Sequence, residues 1–571
     1  MPQSPGIPAG PPRWAIIHQQ MITADPLETL RGVDVAPRMI EEDRPLTESV
    51  EWRLSESYWN THGTTGFVQN EIPYTVTSSG ALSANAARLL FLNCCVRAPS
   101  GPVEVLEVGA GTGLFARLFL DEFARICERE NKPFHRQMVY YVTDRSRRSL
   151  AQWAELNLFE GLPVVTAWAD ALDPLEIRTT EGPRRLTGLR AVFCNYSLDS
   201  LPAAVLRSGE AGPEELCLRT HLTADEARVK QRTAMSLSEI RELAGKGDPA
   251  LIPLVTLFEF EAEFQPCRRP YAHATEALAF DHDAKRTILN HGAIQCLERA
   301  IEGLGTGGFV LVNDYGSVRA EDTAGMSASQ RFGPSAALGL NFPFLEHHFS
   351  ANGATVVRPE LDERLPIHPR LFAREAVPET CRAFREIFDF SAHQERHASQ
   401  DEARQHLEGS RLEAAKRAYE KALVSRPKDW VLLGEIAEFL TRQVGNYPAG
   451  LQVAAAALAV NPWYSVWLWN VYGDALYALE RYADAHEAYS KGARLEPSDA
   501  RSNLNLGYTF AQLGDLKSAM EALARGLAGD RGGVFQERLL RKQQQILASL
   551  QARFTEEQEW LARRAARIAV R

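Results

Sequence analysis

Three prolines, Pro427, Pro462 and Pro497, stand 35 residues apart, and each closes a stretch rich in Ala, Leu and Tyr. A repeat of that length is one helical hairpin, and a single hairpin cannot bury its apolar face without a neighbour, so the C-terminal third must stack like units. Between two of the units the period is 34: Gly473 recurs as Gly507, Ala485 as Ala519, and bulky Tyr489 as Leu523. Small residues at fixed offsets let two antiparallel helices approach closely, and large ones fill the seam to the next pair.

Trp469, Tyr472, Gly473, Ala485, Tyr489 and Pro497 carry the clearest unit, which resembles a tetratricopeptide repeat. Two earlier units are looser. Leu412, Ala415, Tyr419, Ala422 and Pro427 supply a second helix, while Trp430, Leu433 and Gly434 belong to a unit with a small insertion near Gln443 to Tyr447. The pattern predicts about four repeats over 396–531, and the basic amphipathic 532–571 reads as a C-terminal capping helix. The resemblance implies a concave face that binds a protein or peptide partner, and it leaves self-association as a homo-oligomer open.

The chain has 571 residues, 45% hydrophobic and 24% charged, a composition for several globular domains and not for general disorder. The longest uncharged apolar run, around Leu89 to Val96, falls far short of the roughly 20 residues a membrane span needs. Met1 to Pro12 is Pro/Gly-rich, without the basic start and apolar core of a signal peptide. The net charge of −10 disfavours nucleic acid as a partner. Eight scattered cysteines with no C-x-x-C pair argue for a reducing compartment, and the expected location is cytoplasmic, without a structural zinc site.

The N-terminal two thirds follow a different rhythm. Short Val/Leu/Tyr-rich runs at Val103–Val108, Val139–Thr143, Val164–Trp168, Ala191–Asn195 and Phe309–Asn313 alternate with helical stretches at Leu114–Arg129, Ser149–Leu158 and His291–Leu304. That alternation predicts an α/β Rossmann-like fold with a largely parallel sheet. The expected division is a partly flexible extension over 1–50, a substrate-side region over 51–99, and the α/β domain over 100–376. A mostly helical insertion is expected at about 205–285, and 377–395, polar and charged, reads as a linker to the repeats.

Glu104 to Leu114, EVLEVGAGTGL, carries the most chemistry. A buried strand runs into glycines and then directly into a helix, which lets a ligand approach the backbone at a helix N-terminus. A dinucleotide fingerprint needs a sixth-position Gly, and Leu114 stands there. Gly109, Gly111 and Gly113 preceded by Glu107 instead resemble motif I of class I S-adenosylmethionine-dependent methyltransferases. The second strand ends at Asp144, placed to accept both ribose hydroxyls, and the third ends at Asp170-Ala171, placed to hold the adenine.

The fourth strand narrows the resemblance. Asn195-Tyr196-Ser197-Leu198-Asp199-Ser200-Leu201-Pro202 is similar to the N-E-x-x-D-A-L-P segment of the MidA-like methyltransferases, which include a mitochondrial complex I assembly factor that methylates arginine in a protein. Asn313-Asp314-Tyr315-Gly316 resembles that family's D-Y-G, and Tyr58-Trp59, Gly66-Phe67 and Pro73-Tyr74 resemble its substrate-side region. The resemblance covers roughly 51–375 and implies S-adenosyl-L-methionine as cofactor, S-adenosyl-L-homocysteine as product, and methylation of a protein side chain. The family's Glu is Tyr196 here, so a carboxylate that would orient a cationic nucleophile is missing and arginine specificity is in doubt.

Methyl transfer is an in-line displacement, so the protein mainly positions the nucleophile and takes a proton where required. Asn195, Tyr196, Asp199 and Asp314 are the candidate catalytic residues, Asn195 also touching cofactor; Asp199 reads equally as the cap of a following helix. Candidate substrate contacts are Tyr58, Tyr74, Tyr315 and the insertion's Glu259 and Glu261, which alternate with Phe258, Phe260 and Phe264 and read more readily as a solvated face over a Phe-lined core. His347-His348 has no acidic or Cys partner at metal spacing, so no metal is expected. The N/D-P-P-Y/F motif of nucleic-acid amino-methyltransferases is absent after strand four, and Asn341-Phe342-Pro343-Phe344 lies beyond strand five.

The leading expectation is therefore a protein methyltransferase whose repeats recruit the substrate. The alternatives are a methyltransferase for a small molecule or carrier-bound product, and a non-catalytic assembly adaptor working through the repeats.

Overall fold

The computed structural model describes residues 38–69, 74–281, 286–323 and 329–569. Strand β1 (Arg38–Pro45) is followed by the helices Val50–His62 and Ala81–Val96. The α/β unit then runs through β2 (Val103–Val108), β3 (Met138–Asp144), β4 (Val164–Trp168), the hairpin β5 (Glu176–Thr179) and β6 (Gly182–Arg185), and β7 (Leu189–Asn195). After β8 (Ala204–Gly209), β9 (Gly212–Leu222), β10 (Phe258–Pro266) and β11 (Thr287–Leu289), the chain returns through β12 (Leu304–Asp314). Two short pairs follow, β13 (Gly316–Ser317) with β16 (Leu340–Asn341) and β14 (Gln330–Phe332) with β15 (Ser335–Ala337), before β17 (Thr355–Val357) and β18 (His368–Ala373).

The central sheet has the order β17-β18-β12-β7-β2-β3-β4-β5-β6. Its middle five strands are parallel: Val105 pairs with Tyr140 of β3 on one side and Ala191 of β7 on the other. Both faces are covered, so every residue but one in each of β2 and β7 is buried. The helix Leu114–Arg129 turns Leu114, Phe115, Leu118, Phe119, Phe123 and Ile126 to one face by their three- and four-residue spacing. From β2 the chain winds outward to β4, then returns to β7 on β2's other side. That reversal opens a crevice beyond the strands' carboxyl ends.

The 205–285 stretch is not mostly helical. β9 pairs with β1, β8 and β10 in an antiparallel sheet that β11 completes, and the helices Glu226–Arg232 and Leu237–Lys246 pack beside it. One face of β10 is exposed, and the resulting polar alternation hides strand character in a charge-rich sequence. Arg38–Pro45, inside the stretch read as an extension, belongs to this sheet; residues 1–37 lie outside the described part. Val50 and Leu54 share a core with Ile240, Leu251 and Leu254, so the region before the α/β unit and the insertion form one cap.

Nor is 377–395 a bare linker. The helix Pro378–Phe388 buries Cys381, Phe384, Ile387 and Phe388 while its charges face outward, and Phe390–Glu408 begins at once behind the cap Asp389. Four helix pairs follow: Phe390–Glu408 with Leu412–Ser425, Trp430–Glu438 with Tyr447–Val460, Val466–Ala478 with Tyr482–Leu495, and Ala500–Gln512 with Leu516–Gly529. The insertion near Gln443 is a π-helical turn, Phe439–Val444. The 34-residue period has a contact behind it, since a Cβ on Gly473 would lie 2.4 Å from the Tyr489 ring and one on Gly507 2.6 Å from Leu523. Gln536–Ala569 closes the array with Leu539 and Ile546 buried, while Leu547, Phe554 and Trp560 are exposed. No helix among the described residues is long and apolar enough to cross a membrane.

Candidate active site

At the end of β2 the backbone of Gly109 (φ +65°) and Gly111 (φ +54°) is left-handed, a conformation that a side chain resists. An added Cβ would also stand 3.0 Å from Ser197 Cβ at the first and 3.1 Å from the Phe67 ring at the second. Both line a cleft of about 290 Å³ together with Asp144, Asp170, Ala171 and Tyr196. Four strand ends thus converge on one crevice. Gly113 is required for packing instead, because a Cβ there would meet Leu158 and Phe159 at 2.8 Å.

Asp144 closes β3 with its carboxylate fixed by backbone donors, Gly111 N–H at 3.0 Å and Ser146 N–H at 2.8 Å. Burial pushes its pKa up to about 6, opposed by those hydrogen bonds. Asp170 accepts from Leu172 N–H at 3.0 Å. Arg145 ties the rim together, with Nη1 3.2 Å from Glu56 of the helix Val50–His62 and Nε 3.9 Å from Asp170.

Beyond β7, Asn313 Nδ2 donates to Asn195 Oδ1 at 2.8 Å, and Tyr196 N–H donates to the Asn313 carbonyl at 2.8 Å. Asn313 Oδ1 and Ser197 Oγ are buried with no protein partner among the described residues. Tyr196 has φ +53°, a strained conformation for an aromatic residue, and its ring meets Tyr315 edge-on at 4.9 Å. Asp314 accepts from Ser197 N–H at 3.1 Å, Leu198 N–H at 2.7 Å and Tyr315 N–H at 2.8 Å. Asp199 is also buried, and desolvation, with Asp314 nearby, raises its pKa. No helix begins behind Asp199, so the capping role does not apply; the chain turns straight into β8.

Several sequence candidates lie away from the cleft wall. Glu107 is buried behind it with the Tyr140 hydroxyl 3.2 Å away, and burial raises its pKa to about 8. Asn195 sits one position back from Tyr196, while Asp314 and Tyr315 support the loop from below. Tyr58 is core, stacked on His62 at 4.6 Å, and Tyr74 points to the repeats, its hydroxyl donating to the Tyr464 carbonyl at 3.1 Å. Glu259 and Glu261 stand on the exposed face of β10, where Glu261 pairs with Arg219 at 3.3 Å. Local alternation cannot say which way a strand's polar face looks. The cleft adds Trp59, Phe67, Glu56 and Arg145, of which the Tyr58-Trp59 and Gly66-Phe67 pairs were the only sequence signal.

The expectation that His348 lacks an acidic partner is overturned. Glu276 lies 3.1 Å from His348 Nδ1, and with His273 these residues form a group able to hold a cation among the described residues. Glu276 is 72 positions away in sequence, so spacing within the helix could not reveal it.

The matches to known families agree with this geometry. Residues 91–334 match the sequence model of a family described as "Putative S-adenosyl-L-methionine-dependent methyltransferase", and 473–533 match a tetratricopeptide repeat. Over residues 91–334 the α/β unit is thus similar to this methyltransferase family. No curated protein matches the chain. Among solved structures, an uncharacterized superfamily protein from Burkholderia thailandensis is 17% identical, covering 62% of this chain and 80% of its own, at a TM-score of 0.35. The type III secretion translocator chaperone SycD of Yersinia enterocolitica is 19% identical over 21% of this chain and 92% of its own, at 0.20. A thermophilic tetratricopeptide protein of Thermus thermophilus is 21% identical over 27% and 82%, at 0.24. The methyltransferase domain's cofactor is S-adenosyl-L-methionine. Its residues fit that group: a close-approach glycine turn, two acidic strand ends and a buried Ser197 hydroxyl with no protein partner among the described residues.

Proposed function

We propose that this chain methylates a protein side chain, at a nitrogen or another atom, with the repeat array recruiting and orienting the substrate. The observation that carries this reading is the direct seating of the repeats on the methyltransferase domain. Trp430, Leu433, Tyr464 and Leu468 share one hydrophobic core with Leu118 and Phe119 of the α/β unit. A peptide held by the array is thereby kept at high local concentration near the strand ends.

The cofactor supplies a sulfonium methyl that needs no further activation. In this reading Gly109 and Gly111 admit it to the backbone, Asp144 accepts its ribose hydroxyls, and Asp170 and Ala171 hold its adenine. Tyr196 walls the reacting centre, fixed by Tyr315 and by the Asn195–Asn313 pair, so the nucleophile is positioned and not activated. Asp199, its pKa raised by burial and by Asp314, is the candidate acceptor of the proton the nucleophile sheds. Tyr196 offers no charge, which favours a nucleophile other than a guanidinium.

The test is transfer of labelled methyl from the cofactor into lysate by the full-length protein. Label in the protein fraction, lost with Gly111→Arg, is expected. Label confined to small molecules would replace the protein substrate with a small acceptor, and wild-type cofactor binding by both Gly111→Arg and Asp144→Ala would sink the site.

A further inference from the structure

A second cavity, about 360 Å³, lies where the first repeat hairpin meets the methyltransferase domain. Fully buried Asn313 reaches its wall from the end of β12, and His393, Arg396 and His397 of the helix Phe390–Glu408 stand around it with Arg426. Asn313 is also the partner of Asn195, whose neighbour Tyr196 lines the cofactor cleft, so one hydrogen-bonded pair lies between this cavity and that cleft.

The cavity is under-neutralised. Arg396 donates to the Ile387 carbonyl at 2.9 Å, and no carboxylate among the described residues lies within ion-pair distance of it. Arg426, its side chain 6% exposed, reaches Asp429 at 2.7 Å and Gln400 at 2.6 Å and leaves Nε buried without a partner among the described residues. Of the cavity's acids, Asp429 also caps the helix Trp430–Glu438, and Asp401 lies 3.1 Å from Arg404, itself paired with Glu435. Burial, then Arg88 and Arg426, push Arg396 down to about 10; burial, then Arg426, push His397 down to about 3. Both shifts report a desolvated positive field, which an entering anion would relieve.

We propose that this cavity binds an anionic group, a carboxylate or a phosphate, carried by the methyl acceptor. The proposal rests on the methyltransferase reading and deepens it. No chain without the repeats could build the site, because its cations come from Phe390–Glu408 and Arg426.

Full-length protein is titrated calorimetrically with S-adenosyl-L-homocysteine, and separately with inorganic phosphate and with glutarate. Saturable binding of one anion is expected, weakened at least tenfold in Arg396→Gln and unchanged in Arg417→Gln, an exposed arginine outside the cavity. Whichever probe binds identifies the group. Absence of binding by both probes, wild-type binding by Arg396→Gln, or equal loss in both variants overturns the proposal. Protein that binds a probe but no S-adenosyl-L-homocysteine retains the anion site and loses the methyltransferase reading; the converse loses only the anion site.

Discussion

The indole Nε1 of Trp430 donates to the Ser78 carbonyl across 2.7 Å, joining residues 352 positions apart. Trp430 is buried and stacks on Tyr74 at 6.1 Å. The repeats are thus fastened to the methyltransferase domain by a desolvated polar contact set within an apolar seam.

Trp430→Phe keeps most of the packing and leaves a buried carbonyl without its donor. The expected cost is about 1–3 kcal/mol, read as a lower melting temperature and as faster proteolytic separation of the repeats. Melting and proteolysis unchanged from wild type would mean that the contact does not hold the two parts together.

Cofactor affinity should depend on Asp144. Its pKa is raised to about 6, so the free site is ionised above that pH and protonated below it. Hydroxyl donors favour the carboxylate, so affinity rises with pH through about 6 and levels off above. Calorimetry at pH 5 should give a dissociation constant about tenfold weaker than at pH 7.5, and Asp144→Asn should bind weakly at both.

Asp314 is expected to matter for the shape of the loop more than for proton transfer. Asp314→Asn turns an amide toward the N–H groups of Ser197, Leu198 or Tyr315 and loses at least one of three hydrogen bonds. A loss of roughly 2 kcal/mol should accompany faster hydrogen exchange at Ser197 and Leu198. Full stability with only turnover lost would assign Asp314 to the chemistry instead.

Glu107 sets a pH dependence of stability. Its folded pKa, about 8, lies above the ordinary carboxylate value of 4.5, because burial disfavours the charge. Its contribution is therefore complete below about pH 4.5, declines as pH rises, and levels off above 8. Urea midpoints between pH 6 and 9 should fall less steeply in Glu107→Gln, which should cost under about 1 kcal/mol near neutrality because it keeps a neutral hydrogen-bonding group.

The strand ends at Gly109, Asp144 and Asp170 were legible because each follows an apolar run, and a parallel sheet gathers such ends on one side. Neither Glu259 nor Tyr74 lines the cleft, and for Glu259 the alternation already favoured a solvated face. The first sits on a strand whose exposed face looks away from the cleft, and the second is turned into the seam with the repeats. The Cys381-Phe384-Ile387-Phe388 stripe was hidden among charges that it needs for its outer face.

Sequence by itself determined the elements whose signal is local. The glycine turn demands left-handed backbone, the proline and glycine periods demand paired helices, and the alternation of runs demands a covered parallel sheet. Tertiary structure alone decided what lies across from what: Trp59 and Phe67 over the glycines, Asn313 against Asn195, Glu276 beside His348, and Arg396 and Arg426 around a shared cavity. Those relations join residues up to hundreds of positions apart, and no local periodicity carries them, because they are fixed only when separate apolar faces are buried against one another.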